Sequence, residues 1–168
     1  GNRERLWCAS TAAGPAFEGA RISMGMRAAT GAISEIMVRD GKFRAHVIGN
    51  VPPRGICGSG LVDAVAGGLE LGLILPSGRL AAGDSLTIAA PVSLTQRDIR
   101  ELQLAKGAIA AGIQILTEQW GARCNDLSHI FLAGAFGNYL NCASAKRIGL
   151  LNFPQEKIVS VGNSALLG

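Results

Sequence analysis

The sequence predicts an α/β fold, because segments with the two-residue period of strands alternate with segments of helical period. Two patterns carry this prediction: alternating runs on either side of Asp40-Gly41, and a long amphipathic run from Thr95 to Trp120. The 168 residues are 48% hydrophobic and 17% charged, which is apolar enough to bury a core. We therefore expect one globular domain over residues 1–168.

The N-terminal third predicts a strand, a helix and a hairpin in that order. Residues 5–10 are interpreted as a strand that looks like the second half of a hairpin whose first half is missing. Gly14 and Pro15 would open a helix that reaches residue 24, since proline is favoured at helix starts. The runs around Asp40-Gly41 predict a β-hairpin.

The middle of the chain predicts two helices separated by a loop. The first spans 61–75 and is entered through the turn Gly58-Ser59-Gly60; residues 76–94 are predicted as loop with one short strand. The second helix follows Thr95, which with Asp98 forms a candidate capping box, and Gly121 ends it.

The C-terminal part predicts a strand, a turn, a helix and a strand. An apolar strand over 129–134 runs into the glycine-rich turn 134–138, and Asn141 is a candidate N-cap for the short helix that follows. The last strand covers 158–161, and Gly162-Asn163-Ser164 after it is assigned a structural role.

The segment most informative for function is the strand that ends in Gly134, Ala135, Phe136, Gly137 and Asn138. Ligands of open α/β sheets bind beyond the carboxyl ends of strands, where a glycine turn lets a flat ligand contact backbone and a helix start offers N–H groups. A nucleotide fits this pattern, and so does simple close packing of a strand on a helix. The alternative of a Rossmann-like site for NAD or S-adenosylmethionine lacks its acidic ribose partner.

Several function classes are excluded by what the sequence lacks. It has no GxxxxGK[ST] P-loop and no GxSxG elbow, and His46 and His129 have no catalytic partner at motif spacing. The four cysteines form no CxxC pair and are interpreted as reduced core residues, with a redox role of Cys57 left open.

Charge and hydropathy set expectations for location and partners. No apolar run reaches membrane-spanning length and no signal peptide opens the chain, so we expect a cytoplasmic protein that does not bind a membrane. The net charge of +4 comes entirely from residues 1–54, whose cations are scattered rather than clustered. This scatter argues against nucleic acid as a partner and favours a solvated surface. The alternative is that an acidic protein or a phosphate ligand binds these cations.

Successive blocks of the sequence resemble one family, the RACo-type reductive activators of corrinoid proteins. The blocks are CASTAAGPAFEGARISMGMRAATGAI, GICGSGLVDAVAG, LTQRDIRELQLAKGAIAAGI, LAGAFGNYL, IGLL and VGNSALLG. The resemblance implies a ribonuclease-H-like lobe of the actin-like ATPase superfamily, with a mixed sheet flanked by helices, and it implies ATP and Mg²⁺ as ligands.

The same resemblance assigns candidate nucleotide-binding residues. Positions 134–138 correspond to the adenosine motif, Gly14 and Pro15 to a glycine turn after a phosphate hairpin, and Gly58, Ser59 and Gly60 to a further loop beside the nucleotide. Lys106 stands where relatives place a polar helix face against the nucleoside, although a solvated lysine is an equal alternative. For the glycine-serine-glycine turn, the alternative is helix capping.

The family's acidic phosphate turn, ferredoxin domain with its 2Fe-2S cluster and first ATPase lobe have no counterpart in this sequence, so residues 1–168 are expected to be a C-terminal fragment. Its parent would use ATP to restore a corrinoid protein from Co(II) to Co(I), and the fragment alone is expected to be inactive as a reductase. The alternative is an interaction lobe that docks a corrinoid protein, with incomplete nucleotide contacts. A homodimer is a further expectation.

Overall fold

The computed structural model describes residues 1–162. Asn163 and Ser164, with the rest of the VGNSALLG block, lie outside the described residues. The order of elements is that of a mixed α/β chain, as the sequence predicts: three strands, a helix, two strands, a long helix, and then a strand, two short helices and a strand.

The hairpin around Asp40-Gly41 is confirmed. Strands β1 (Ala32–Arg39) and β2 (Lys42–Val47) pair antiparallel, and β3 (Gly55–Ile56) pairs parallel on the other side of β1, so this sheet is mixed. Asp40 and Gly41 have φ values of 52° and 69°, the left-handed backbone that a tight two-residue hairpin turn requires.

Helix α1 (Gly58–Glu70) packs on the inner face of this sheet. The predicted Gly58-Ser59-Gly60 turn is therefore the first turn of the helix itself, and the helix ends five residues earlier than the predicted 75. Gly67 explains the close approach, because a Cβ at that position would lie 2.9 Å from Phe43 Cε1 and 3.1 Å from Val38 Cγ2.

Strands β4 (Ser85–Ala89) and β5 (Val92–Thr95) form a second hairpin, of which only the first strand was expected. Helix α2 (Gln96–Trp120) follows with the predicted capping box, and Gly121 ends it with a φ of 76°. The buried Asp98 carboxylate also accepts hydrogen bonds from the N–H and hydroxyl of Ser23, which fixes the 14–28 segment against α2.

The C-terminal elements are β6 (Ile130–Leu132), α3 (Gly134–Tyr139), α4 (Cys142–Arg147) and β7 (Ile158–Ser160), with short 3₁₀ turns at Cys124–Asp126 and Gln155–Lys157. Strands β6 and β7 pair in parallel, and Asn141 caps α4 by accepting from the N–H groups of Ala143 and Ser144. The predicted turn at 134–138 is thus wrong in kind, because these residues form the helix α3.

Two other local predictions are wrong. Residues 5–10 form no strand, and residues 15–24 form consecutive turns instead of a helix. The second error has a plain cause: Gly14, Gly19 and Arg21 have φ values of 69°, 82° and 66°, which a right-handed helix cannot contain.

One apolar core joins these elements. Its most buried side chains come from both hairpins, from β3 and from helices α1 and α2, and they include Ile33, Ile56, Leu61, Val62, Leu94, Ile99 and Leu102. Within the described residues, no helix combines the length and the apolar character needed to cross a bilayer.

Candidate functional site

A cleft of about 1080 Å³, here called the main cleft, lies where four sequence-distant segments meet. It is bounded by the 17–28 segment, by residues of the β1–β2 hairpin, by the start of α1 and by residues 136–141. Volumes of roughly 300–1,000 Å³ are usual for small-molecule sites, so a nucleotide fits here. The predicted site residues that line it are Gly58, Ser59, Phe136 and Asn138.

The start of α1 forms one wall of the main cleft. Gly58 is required there, because a Cβ would lie 2.3 Å from the Phe17 carbonyl oxygen and 3.1 Å from Phe136 Cε2. Ser59 donates its hydroxyl to the Ser34 carbonyl at 2.7 Å, which ties the first helical turn to β1. Cys57 is the N-cap residue of α1 and makes no side-chain capping bond.

The third glycine-turn position, Gly60, has a packing role instead. It is buried and does not line the main cleft, and a Cβ at Gly60 would lie 2.3 Å from the Ile33 carbonyl oxygen. The glycine therefore lets α1 cross β1 in close contact. Gly58 and Gly60 are indistinguishable in sequence but have different neighbours in the fold.

Helix α3 forms the opposite wall. Gly134 has a φ of 90° and donates its N–H to the Gly162 carbonyl at 2.8 Å, so a glycine is needed where β6 turns into the helix. The Phe136 ring lies 4.7 Å from the Phe17 ring, centroid to centroid, and joins α3 to the 17–28 segment. Ala135 and Gly137 belong to the same helix, and Gly137 does not line the main cleft.

Three predicted residues lie elsewhere. Gly14 and Pro15 are exposed, and a Cβ on Gly14 would meet nothing within 4 Å. Lys106 lines a second cleft of about 330 Å³ between α1, α2 and the end of α4, where its ammonium donates to the Ile148 carbonyl. The structure therefore separates these three positions from the main cleft.

Asp63 is a cleft residue that sequence reasoning did not single out. It is only 3% exposed, and its Oδ2 accepts from the Ile36 N–H at 3.1 Å, whereas its Oδ1 has no hydrogen-bond partner among the described residues. Burial raises the pKa of Asp63; the hydrogen bond from the Ile36 N–H opposes that shift, and the charge of Glu35 adds to it. The only signal in the sequence was a carboxylate inside an otherwise apolar run.

Arg27 is a second cleft residue that was not predicted. It is exposed, and among the described residues it is the single Lys or Arg that lines the main cleft. In the sequence it is one of several isolated arginines, so only the fold reveals its position. A guanidinium at the edge of a cleft can form paired hydrogen bonds with phosphate oxygens.

The arrangement is suited to binding. Within residues 1–162 no group of three His, Cys, Asp or Glu side chains is placed to hold a metal ion. Cys8 is exposed, Cys57 is buried, Cys124 and Cys142 are half-buried, and all four are free thiols. The cleft therefore offers a helix start, three aromatic rings and one cation beside three carboxylates, those of Glu18, Glu35 and Asp63.

Comparison with known proteins gives consistent results. The family described as the C-terminal domain of RACo, the ASKHA domain, matches residues 1–168. The chain is 39% identical to the corrinoid activation enzyme RamQ of Eubacterium limosum, in an alignment that covers 100% of this chain and 33% of that protein. It is 34% identical to the [Co(II) methylated amine-specific corrinoid protein] reductase of Methanosarcina barkeri, covering 97% of this chain and 34% of that protein.

A solved structure has the same fold. The chain superposes on a reductive activator for corrinoid, iron-sulfur protein with a TM-score of 0.80 and 34% identity, covering 91% of this chain and 28% of that one. The chain spans about a third of the length of the curated relatives it matches.

Proposed function

The chain belongs to the family of RACo C-terminal ASKHA domains, and from this membership we propose that it is the nucleotide-binding lobe of a reductive activator of corrinoid proteins. ASKHA proteins are the acetate and sugar kinases, heat-shock chaperones and actins. In this proposal one electron passes from a reduced 2Fe-2S cluster, held elsewhere in the same protein, to the corrinoid cobalt, which goes from Co(II) to Co(I). Residues 1–168 supply the nucleotide contacts and part of the docking surface.

The observation that carries the proposal is the convergence at the main cleft. Gly58 and Ser59 are separated from Phe136 and Asn138 by nearly half of the described chain, yet they line one cleft. Packing alone does not require such a convergence of a helix start, aromatic rings and a cation on an open space of this size. Each of the three can contact one part of a nucleotide: the helix start and the cation its phosphates, and the aromatic rings its base.

The residues of the main cleft suggest how ATP would lie. The N–H groups of Gly58 and Ser59, the two residues of this turn that line the main cleft, precede the first intrahelical hydrogen bond of α1, which Leu61 makes to Cys57. Together with Arg27 they would face the phosphates. Phe136 and Asn138 would contact the nucleoside, as their place in the adenosine motif implies.

Other cofactors of the proposed protein would be held from beyond the described residues. Mg²⁺ neutralises phosphate charge when it is bound with ATP, and it prefers carboxylate ligands. We propose that these carboxylates and the cysteines of the 2Fe-2S cluster belong to other segments of a longer protein, since the chain spans about a third of the length of its curated relatives.

ATP can drive an unfavourable electron transfer only if its affinity differs between two states of the protein. Closure of a second lobe over the main cleft would bind ATP more tightly, because the second lobe adds its own contacts to the nucleotide. Coupling then requires that the closed state also binds the corrinoid protein better. The residues of this chain would hold the nucleotide during that change.

Calorimetric titration of ATP with Mg²⁺ tests the proposal in the full-length protein. We expect binding, and we expect Arg27→Ala to weaken it by roughly tenfold, about 1.4 kcal/mol, since one charge-assisted phosphate contact is lost. Adenosine, which has no phosphate, should bind the variant and the parent protein equally. The exposed Arg79→Ala is the matched control. No ATP binding by the full-length protein would contradict the proposal and favour the interaction lobe.

A further inference from the structure

The outer side of the β1–β2 hairpin is an exposed sheet face, here called the hairpin face. It consists of three pairs of directly opposite residues, Glu35 with His46, Met37 with Arg44, and Arg39 with Lys42. All six residues are exposed, whereas the alternate residues of both strands turn inward toward α1. Because the inner side is packed on α1, the hairpin holds this face in a fixed conformation.

The charges on the hairpin face are arranged unfavourably for the isolated fold. Arg39 stands directly opposite Lys42, and like charges in this position destabilise a strand pair. Arg44 has a partner in Asp40, but their 3.9 Å contact joins side chains that are 59% and 88% exposed. Exposed pairs of this kind stabilise a fold by roughly 0–1 kcal/mol. The three cations are thus left available to an external partner.

The composition of the hairpin face is that of a protein-binding surface. Met37 lies among the cations and is 41% exposed, and the Arg39 guanidinium lies 3.9 Å from its sulfur. Methionine and arginine are enriched in protein interfaces, in which an apolar centre is surrounded by charged groups. Lysine alone would suffice to protect the free edge of β2 from aggregation.

The hairpin face also borders the main cleft. The pair Glu35 and His46, at the end of the face farthest from the turn, lines that cleft. A protein bound to the face would therefore lie beside a bound nucleotide. This adjacency is what coupling between the two ligands needs.

We propose that the hairpin face docks an acidic surface of the corrinoid protein, through Arg39, Lys42 and Arg44 around Met37. This inference rests on the proposed function for the identity of the partner. The charge of the partner surface follows from the three cations, which outnumber Glu35, the one carboxylate of the hairpin face. Opposite charges on the two surfaces would accelerate their association and make it sensitive to salt.

Carbodiimide cross-linking tests the contact directly. The reagent joins a lysine amine to a carboxylate as an amide and takes up the released water as a urea, so it reports only ammonium–carboxylate contacts. With the full-length protein and the purified corrinoid protein, we expect mass spectrometry to find Lys42 joined to an Asp or Glu of the partner. Lys42→Arg should abolish this cross-link and retain binding, because it keeps the charge. Cross-links exclusively at other lysines would overturn the proposal.

A charge-reversed variant supplies the affinity measurement. Arg39→Glu, Lys42→Glu and Arg44→Glu together should weaken corrinoid-protein binding roughly tenfold or more and remove most of the salt dependence of the association rate. The control, Arg79→Glu, Arg97→Glu and Arg100→Glu, makes the same charge change at exposed positions outside the hairpin. Circular dichroism should show the same folded content for both.

Three outcomes separate this inference from the proposed function. If the unmodified full-length protein fails to bind the corrinoid protein, the proposed function fails. If it binds, and the hairpin variant binds equally well, the function stands and the docking surface is wrong. If the hairpin variant instead loses binding to duplex RNA or anionic lipid vesicles that the control retains, the face serves another partner and the inference is overturned.

Discussion

Replacement of Asp63 by asparagine should stabilise the fold at neutral pH. The Asp63 side chain is 3% exposed, one oxygen accepts from the Ile36 N–H, and the other has no partner among the described residues. An unsatisfied buried polar group costs about 1–3 kcal/mol, and more when it is charged. The introduced amide keeps an acceptor for Ile36 and removes the charge. We expect the free energy of unfolding to rise by about 1–2 kcal/mol near pH 7.

The pH dependence gives the prediction its sign. Burial raises the pKa of Asp63 above its ordinary value of 3.8, so the folded state binds the proton more tightly than the unfolded state does. The stability contributed by the protonated form is complete below pH 3.8 and is lost as the pH rises through the folded-state pKa. At a pH near the ordinary pKa of 3.8, Asp63 is protonated in the folded state and no longer buries a charge. The gain in unfolding free energy from Asp63→Asn should therefore disappear near pH 4, a value set by that ordinary pKa of 3.8.

Urea denaturation followed by circular dichroism measures both effects. Asp84→Asn, which removes an exposed carboxylate, is the control and should change the free energy of unfolding by less than about 0.5 kcal/mol at either pH. Asp63→Ala should be less stable than Asp63→Asn, because it leaves the Ile36 N–H without an acceptor. The reasoning would be refuted if Asp63→Asn destabilised the protein near pH 7, or stabilised it equally at both pH values.

Two further predictions concern positions with clear controls. Gly60→Ala should destabilise the fold by about 2 kcal/mol or more, because its Cβ would lie 2.3 Å from a strand carbonyl oxygen. Gly107→Ala, whose Cβ would meet nothing within 4 Å, should instead stabilise α2 by about 0.5–1 kcal/mol. Equal effects of the two variants in thermal melts would contradict this explanation. Lys106→Met should lower the melting temperature, since the end of α4 loses its lysine donor, while leaving ATP affinity unchanged. A loss of ATP affinity without loss of stability would place Lys106 at the nucleotide instead.

Local signals predicted the elements whose ends are set by their own residues. The hairpin follows from Asp40-Gly41 and helix α2 from the Thr95 capping box and Gly121, and all three features act within a few residues. The strand expected at 5–10 is absent because strands need a hydrogen-bonding partner, and no segment within residues 1–162 pairs with it.

The candidate site was predictable only in part. The sequence predicted Gly58 and Gly60 equally as site residues. The fold shows that Gly58 faces Phe17, whereas Gly60 faces β1. Arg27 reaches the main cleft through tertiary contacts for which the sequence holds no local signal, and Asp63 stands out in the sequence only as a carboxylate inside an apolar run. Distances between segments far apart in the chain decide these roles.

Photolabelling with an azido-adenine derivative of ATP tests most directly whether the main cleft holds the nucleotide. In the full-length protein, the account predicts that light attaches the base to the tryptic peptide 124–146, which contains Phe136 and Asn138, and that excess ATP prevents the labelling. Labelling of peptide 101–106, which carries Lys106 at the second cleft, would contradict it, and so would labelling that ATP does not displace.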